Sequence, residues 1–493
     1  MKKKRQHASI FIIGAGFAGE EIATEIKKKG ILGRVEAFLD DDPAKIGTTR
    51  AGVPVFGPIS NVEKVMKQIP ADEAIIAIPG ARQEDLRRIY WTLKRADFRK
   101  IRLLPQISQI IEGDAHLIQT REIDPRDLLA RSPVPIPLKE SLEYLKGRRV
   151  LITGAGGSIG SELARQLLTG GTQRLYLFDH DENSIYEIEK ELRLLQEEGI
   201  GKNAAIVPVI GDLLDPEFVA FILNRLKADV IFHCAAYKHV PMLEMNPVEA
   251  VKNNVFGTYN IVQAASDAHC RRFVFISTDK AVEPVSIYGA SKNVAEQVVL
   301  SGNGSDAEFM VVRFGNVLGS RGSIVPLFEK QILKGGPVTI THPDCTRFFM
   351  TIPEAASLVL KAGGVGKGGT RYILDMGEPV FIKELAEQMI RFYGFEPESE
   401  IPLSVIGLRP GEKIHERLWS KTEVPEDTGF TGILKLRGNG KDEIDIPLLL
   451  SNLKPICFYS RDRHEDYRNR RSLRRILKEV IPSLDEKYDE PKY

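Results

Sequence analysis

Val150-Leu151-Ile152-Thr153-Gly154-Ala155-Gly156-Gly157-Ser158-Ile159-Gly160 is an apolar run that breaks into glycines and continues as Ser161-Glu162-Leu163-Ala164. Such a run reads as a buried strand over 149–153, and the segment beyond the glycines as a helix over 161–168. In that setting the glycines at 154, 157 and 160 permit a tight turn and let the backbone approach a pyrophosphate at the helix N-terminus. Working outward, 175–178, 206–210, 230–233 and 273–277 read as further strands separated by helical stretches. That alternation predicts a parallel α/β sheet. After about Arg313 it weakens, as expected for a smaller substrate lobe.

The same architecture stands once more upstream. A strand over 10–13 enters Gly14-x-Gly16-x-x-Gly19, then come a helix over 17–29, a strand over 35–39 ending in Asp40-Asp41-Asp42, and a strand over 74–78. Nothing else near this loop has a catalytic pattern, so the domain reads as structural or regulatory, with a second nucleotide site as the alternative. The fold class is therefore α/β, with two Rossmann-like doubly wound domains, the second carrying a small C-terminal lobe. The expected boundaries are 1–123 for the first domain, 124–145 for a linker rich in proline (125, 133, 135 and 137), 146–437 for the second domain and 438–493 for a polar tail. Arg461, Arg463, Arg468, Arg470, Arg471, Arg474 and Arg475 lie among acids in that tail, which reads as a solvated helix or oligomer contact rather than a nucleic-acid site.

At 493 residues, 43% apolar and 27% charged, the chain has the composition of a soluble globular protein of two or three domains. A net charge of +1 gives no general attraction to nucleic acid or anionic membrane. Cys234, Cys270, Cys345 and Cys457 form no zinc or CxxC spacing and read as free thiols of a reducing compartment. Met1-Lys-Lys-Lys-Arg5 ahead of the apolar run at 8–13 imitates a secretory signal, but the run enters glycines and Glu20-Glu21 without a cleavage site. No apolar run is long enough to span a bilayer, so a cytoplasmic chain is expected. No His/Asp/Glu cluster has metal-ligand spacing, which disfavours a metal enzyme.

Asp179 ends the strand after the glycine loop, where a carboxylate grips an adenosine ribose. It would repel a 2′-phosphate, and its neighbour is His180 rather than an arginine, which favours NAD over NADP. Asp212 is placed either to meet the adenine or to cap the segment beginning at Leu213. Ser277-Thr278-Asp279-Lys280 falls at a later strand end, followed by Tyr288-Gly289-Ala290-Ser291-Lys292. Tyr288 and Lys292, four apart, share a helix face, and an ammonium beside a phenol favours the phenolate that takes a hydroxyl proton during hydride transfer. Asp279 and Lys280 add an acid and a base that oxidation alone does not need, which points to elimination of water. His233 ends a buried strand and reads as packed.

From about 147 to 420 the chain resembles the extended short-chain dehydrogenases/reductases. More narrowly, it resembles the bacterial nucleotide-sugar 4,6-dehydratases of glycan biosynthesis that act on UDP-N-acetylglucosamine. The segments that carry the likeness are Thr153–Glu162, His233–Pro241, Ser277–Ala281, Arg313–Gly322, Thr346–Thr351 and Leu408–Lys413. The first 125 or so residues resemble the nucleotide-binding-like domain of the long members. Those members usually carry transmembrane helices ahead of it; none is seen here, as in a soluble member or a chain that starts beyond the membrane part. Long members also often have Met where Tyr288 stands, which leaves inversion or retention at C5 open.

The resemblance implies NAD held by Gly154, Gly157, Ser158, Ile159, Gly160, Asp179, Asp212, Ala235 and Lys292. It implies a UDP-sugar held by Lys238, Asn316, Arg321, Arg347, Arg409 and Glu412, with a structural ion pair as the alternative for each arginine. It further implies that Tyr288, helped by Lys292, takes the O4 proton, Lys280 removes H5, Asp279 protonates O6, and Thr278 donates to O4 or O6. For those roles Lys280 must act neutral and Asp279 protonated, shifts that desolvation favours. A homo-oligomer is also implied. The rivals are an epimerase, a bifunctional dehydratase–epimerase, and a non-catalytic nucleotide-sugar or NAD sensor.

Overall fold

The computed structural model describes residues 8–30, 32–104, 121–122, 141–304, 307–438 and 444–484. The chain divides into two compact units, Met1–Ser132 and Pro133–Tyr493.

In the first unit Ala8–Ile13 is the central strand, paired in parallel with Gly33–Leu39 on one side and Glu73–Ile76 on the other. Ile10, Ile12, Ile22, Phe38 and Ile75 form its core. The helix Phe17–Lys29 begins at the glycine loop and ends at Gly30, whose φ of 61° supplies the left-handed stop.

The second unit is built on a nine-stranded sheet. Its parallel part runs Ala205–Ile210, Arg174–Asp179, Arg149–Thr153, Val230–His233, Arg272–Ile276, Glu308–Arg313 and Arg371–Leu374. Ile433–Gly438 and Glu423–Asp427 extend it antiparallel. Numbered along the chain, the first six strands stand in the order 3-2-1-4-5-6, with the direction of build reversing beside the first. The sheet is covered on both faces, which is why its strands read as unbroken apolar runs. Val150 and Ile152 enter one core and Leu151 the other. Beyond Arg313 the chain forms three two-stranded sheets and the helices Ile324–Leu333 and Ile382–Phe392, the smaller lobe.

Two boundaries need correction. Residues 124–140 of the expected linker lie outside the described residues, but Leu142 and Leu145 are buried in the core of the second unit. The polar tail is also not a solvated appendage. Its helices Ile446–Cys457 and Arg470–Val480 drive Leu449, Leu453, Leu473 and Leu477 into the main core. The arginines hid the apolar stripe at 473 and 477 because they occupy the intervening positions. Among the described residues no helix is long and apolar enough to cross a membrane.

Candidate active site

Ligands of such sheets collect where the strand order reverses, here between Arg149–Thr153 and Val230–His233. Gly154 turns there with φ +67°, and a Cβ on it would stand 2.6 Å from the backbone nitrogen of Ala235, so only glycine fits. The helix Ser158–Thr169 starts directly after Gly157, three residues earlier than the sequence suggested, which puts Ser158 and Ile159 in its first turn. A cavity of about 1110 Å³ opens over this loop. Ordinary small-molecule sites occupy roughly 300–1,000 Å³, so there is room for a dinucleotide together with a second ligand.

Gly154, Gly157, Ser158, Ile159 and Gly160 line one end of the cavity. Thr278, Lys280, Tyr288 and Lys292 stand on its wall, and Lys238, Asn316, Arg321, Arg347, Arg409 and Glu412 complete the lining. The loop fits a dinucleotide pyrophosphate: its backbone is open to the cavity at a helix N-terminus with no side chain capping it. Asp179, Asp212 and Ala235 are absent from that lining. Asp179 braces the loop, its Oδ2 accepting from the Gly156 N–H at 3.0 Å and its Oδ1 from the His180 N–H at 2.8 Å. Asp212 accepts from the Leu214 N–H at 2.9 Å, a local turn; the cap of the following helix is Asp215. Ala235 presses on Gly154, while its neighbours Cys234 and Ala236 face the cavity.

The sequence from Ser277 to Lys292 folds into one reactive corner. Thr278 caps a short turn, Asp279–Ala281, and Ser286 caps the helix Ile287–Ser301 by accepting from the Gly289 N–H at 3.0 Å. Lys280 Nζ lies 2.9 Å from Asp279 Oδ1 and 3.1 Å from Asn316 Oδ1. Burial pulls the Lys280 pKa down, yet Asp279 and Glu416 beside it leave the ammonium favoured and the pKa above that of an ordinary lysine. The resting state of Lys280 is thus the charged one, contrary to the shift expected from desolvation alone. Burial also raises the Tyr288 phenol; the cation that opposes this most is Lys280, helped by a hydrogen bond from Thr278. The phenolate-favouring partner in the resting chain is therefore Lys280 rather than Lys292. Lys292 is itself pushed down to about 7 by burial, with Nζ donating to the Ile276 carbonyl at 2.6 Å.

The arginines divide. Arg347 donates to the carbonyls of Thr346, Ile414 and Lys413 at 2.7, 2.9 and 2.8 Å, which fixes the 413–414 backbone. Arg321 reaches the cofactor side, donating to Ser184 Oγ at 3.1 Å and Glu187 Oε2 at 3.2 Å, while its backbone N–H meets Ser158 Oγ at 3.3 Å. Its backbone N–H thereby ties the 321 segment to the glycine loop at Ser158. Arg409 and Glu412 pair with each other, Nε to Oε1 at 2.9 Å, with the arginine half-exposed. His233 is packed as expected: its ring lies 2.6 Å from Thr153 Oγ1 and 3.0 Å from Thr258 Oγ1, and burial pushes its pKa down to about 3.

Sequence reasoning missed three residues. Asn254, in a π-turn, joins the Tyr237 backbone to Ser291 of the helix Ile287–Ser301, at 2.8 and 3.0 Å. Glu244 accepts from the Ile287 N–H at 2.7 Å and pairs with Arg474, so the helix Arg470–Val480 supports the start of the helix Ile287–Ser301. Glu416 lies on the cavity wall, 8% exposed, with no hydrogen-bond partner for Oε2. Nothing local in sequence marks Asn254 and Glu244, whose bonds named here reach 17 to 230 residues away; Glu416 Oε2 lies 3.8 Å from Lys413 Nζ.

The family described as polysaccharide biosynthesis protein matches residues 150–437, and one described as CoA binding domain matches residues 5–85. The probable polysaccharide biosynthesis protein EpsC of Bacillus subtilis is 41% identical over 434 residues, covering 88% of this chain and 72% of that protein. A UDP-N-acetylglucosamine 4,6-dehydratase (inverting) of Campylobacter jejuni is 30% identical over 283 residues, covering 56% of this chain and 79% of that one. Among solved structures, the X-ray structure of Pen from Bacillus thuringiensis superposes with a TM-score of 0.54 at 34% identity, covering 60% of this chain and 90% of Pen.

Proposed function

The chain belongs to the polysaccharide biosynthesis protein family, and from that premise we propose that it is an NAD-dependent nucleotide-sugar 4,6-dehydratase acting on UDP-N-acetylglucosamine. The observation that carries the reading is one cavity that presents two sets of groups. Tyr288, Lys292 and Thr278 suit removal of a hydroxyl proton during oxidation, and the Lys280–Asp279 pair beside them suits elimination. The likeness to a relative named as such a dehydratase supports the substrate.

NAD, when bound, supplies a hydride acceptor for C4 and then the hydride donor for C6. Burial keeps Tyr288 a phenol at rest, so it first releases its own proton to solvent, with Lys280 and Thr278 favouring the phenolate, and then takes the O4 proton. The ketone at C4 acidifies H5. Lys280 rests as an ammonium, so it becomes a base by passing a proton across the 2.9 Å contact to Asp279. Filling the cavity with substrate favours that exchange, because a dry site penalises separated charges. Lys280 then takes H5 while the hydroxyl leaves C6, and a proton returns to C5. Arg409 and Glu412 open their mutual pair to receive diphosphate and ribose, and Lys238 meets a phosphate.

The test is proton NMR of the full chain with UDP-N-acetylglucosamine and NAD in D2O. A new C6 methyl with deuterium at C5 is expected, and its ring couplings report inversion or retention. A changed H4 coupling without a methyl would replace this reading with epimerisation.

A further inference from the structure

The segments that carry the family likeness end at Lys413, yet the helix Arg470–Val480 reaches back to the start of the helix that bears Tyr288 and Lys292. Arg474 projects from it and donates from Nη2 to Glu244 Oε2, and both side chains are buried. The other carboxylate oxygen, Glu244 Oε1, accepts from the Ile287 N–H at 2.7 Å.

Ile287 is the first residue of its helix, so its N–H has no acceptor within the helix. A carboxylate suits that place, because the bond is charge-assisted and the helix dipole is positive there. A buried carboxylate in turn needs a cation, and Arg474 is paired with it. The bond acts one residue from Tyr288, which stands on the cavity wall. The loop leading there is held at two further points. Lys413 Nζ donates to the Val282 carbonyl at 2.7 Å, and Ser483 Oγ, from the same C-terminal segment as Arg474, donates to the Pro284 carbonyl at 2.9 Å. The turn at Gly411 closes the remaining side: a Cβ there would lie 2.7 Å from Ser286 Cβ and 3.1 Å from Glu244 Oε1.

We propose that Arg474 and Glu244 are positioning residues for oxidation at C4: through the Ile287 amide they fix the first turn of the helix, and with it the place of Tyr288 against the sugar O4. The inference rests on the reading above, of which it needs only the oxidation step. In that step the C4–H electron pair passes to NAD as hydride, and the O4 proton passes to Tyr288. Arg474 and Glu244 are absent from the cavity lining, so they act on the reaction through Ile287 alone.

The test uses the full chain with NAD and UDP-N-acetyl-6-deoxyglucosamine, a sugar that can be oxidised at C4 but has no O6 to lose. Stopped-flow nicotinamide absorbance gives a rate constant for oxidation and an amplitude that counts competent molecules. Arg474→Met is expected to lower the rate constant by roughly 10- to 100-fold, because a small misplacement of a reacting group costs that much, with sugar and NAD affinities within about twofold. Arg474→Lys, which keeps a cation, should recover most of the rate. Leu453→Ala, a cavity in the core under the helix Ile446–Cys457, should lower the melting temperature and leave the rate constant within about twofold. Loss of amplitude alone in Arg474→Met, or a Leu453→Ala variant equally slow, would reduce the pair to a structural role and overturn the proposal. An unchanged rate constant, or a loss confined to sugar affinity, would do the same. If Arg474→Met does not fold, Glu244→Gln, which keeps an acceptor for Ile287 without the charge, is read in its place: slower oxidation at full amplitude upholds the proposal, and a wild-type rate constant overturns it. A wild-type chain that neither reduces NAD with this sugar nor forms a methyl from UDP-N-acetylglucosamine removes the dehydratase reading, whereas an oxidising wild type leaves only the positioning pair at stake.

Discussion

In the first unit Gly14, Gly16 and Gly19 lead from a buried strand into a helix, and in the second Gly154, Gly157 and Gly160 do the same. A Cβ on Gly19 would lie 2.1 Å from the Gly14 carbonyl oxygen, and one on Gly160 would lie 2.1 Å from that of Gly154. In each unit an acid ending the next strand accepts from a loop amide, Asp40 from Ala15 at 2.7 Å and Asp179 from Gly156 at 3.0 Å. The difference lies beyond the loops. Among the described residues Asp40 is the only buried charged side chain of the first unit, and Lys45 Nζ sits 3.2 Å from it. The second unit buries Lys292 and Glu416 on its cavity wall, and Asp279 beside the Lys280 that lines it. Glycine spacing therefore reports how closely a helix must approach a strand, and chemistry is decided by what later strand ends carry.

The comparison breaks most directly by removing one charge from each unit. Lys280→Ala or Asp279→Asn is expected to cut dehydration by roughly 1,000-fold while C4 oxidation, read as NADH formed in a single turnover, falls much less. Asp40→Asn should leave kcat within about twofold, since its partners are the loop amide of Ala15, the Asp42 N–H and Lys45. A large loss of kcat in Asp40→Asn would show that the first unit takes part in the reaction.

A smaller effect sharpens the same contrast. Gly19→Ala and Gly160→Ala create the same backbone clash, with an overpacking cost of roughly 1–3 kcal/mol each. Drawn from the second loop, that cost should weaken NAD by roughly ten- to hundredfold, because about 1.4 kcal/mol is a factor of ten. Gly19→Ala should shift thermal unfolding and leave NAD affinity alone. Calorimetry and NAD titration on both variants decide it.

The two sheets and both glycine loops were legible because strands buried on both faces are continuous apolar runs, and glycine breaks them cleanly. Ser277 to Lys292 was legible because the reactive groups are close in sequence, on one turn and one helix. Glu416, Asn254 and Glu244 were not, since each acts on partners brought near by folding alone. Charge states were the least legible. Burial alone predicts a neutral Lys280, and only the placement of Asp279 and Glu416 reverses the sign. The C-terminal helices were misread because Arg474 is buried against Glu244 rather than solvated.

Lys292 gives the second unit a buried lysine, and the described residues of the first unit hold none. Burial holds its pKa at about 7, against ~10.4 for an unfolded lysine. Between those values the unfolded chain binds more protons than the folded one, so stability rises with pH across the window. The penalty is complete below the folded value and gone above the unfolded one. Lys280 has the opposite sign: its raised pKa adds stability that is present below the unfolded value and lost above the folded one. Denaturant melts of Lys292→Met should therefore show a flatter rise between pH 7 and 10 than wild type; parallel curves would mean that Lys292 is not a buried, neutral amine.

Asp212→Ala is the smallest expected effect and the finest test of how far loop geometry can be read as cofactor chemistry. Its carboxylate is absent from the cavity lining and accepts from the Leu214 N–H at 2.9 Å, whereas Asp215 caps the helix that follows. Losing such a local bond costs about 1 kcal/mol, most of it in the turn itself. If that turn only shapes the rim, NAD affinity should fall by about threefold at most, in step with the small loss of stability. If adenine bonds this carboxylate directly, affinity should fall more than about tenfold, because a purine amine would lose its acceptor in a partly dry site. The same substitution at Asp42, whose Oδ1 accepts from the Ala44 N–H at 3.0 Å and whose Oδ2 lies 3.4 Å from Lys45 Nζ, supplies the control: a similar turn in the first unit. A drop in NAD affinity at Asp212 that Asp42→Ala does not share would assign the adenine contact to a residue whose visible bonds are all local.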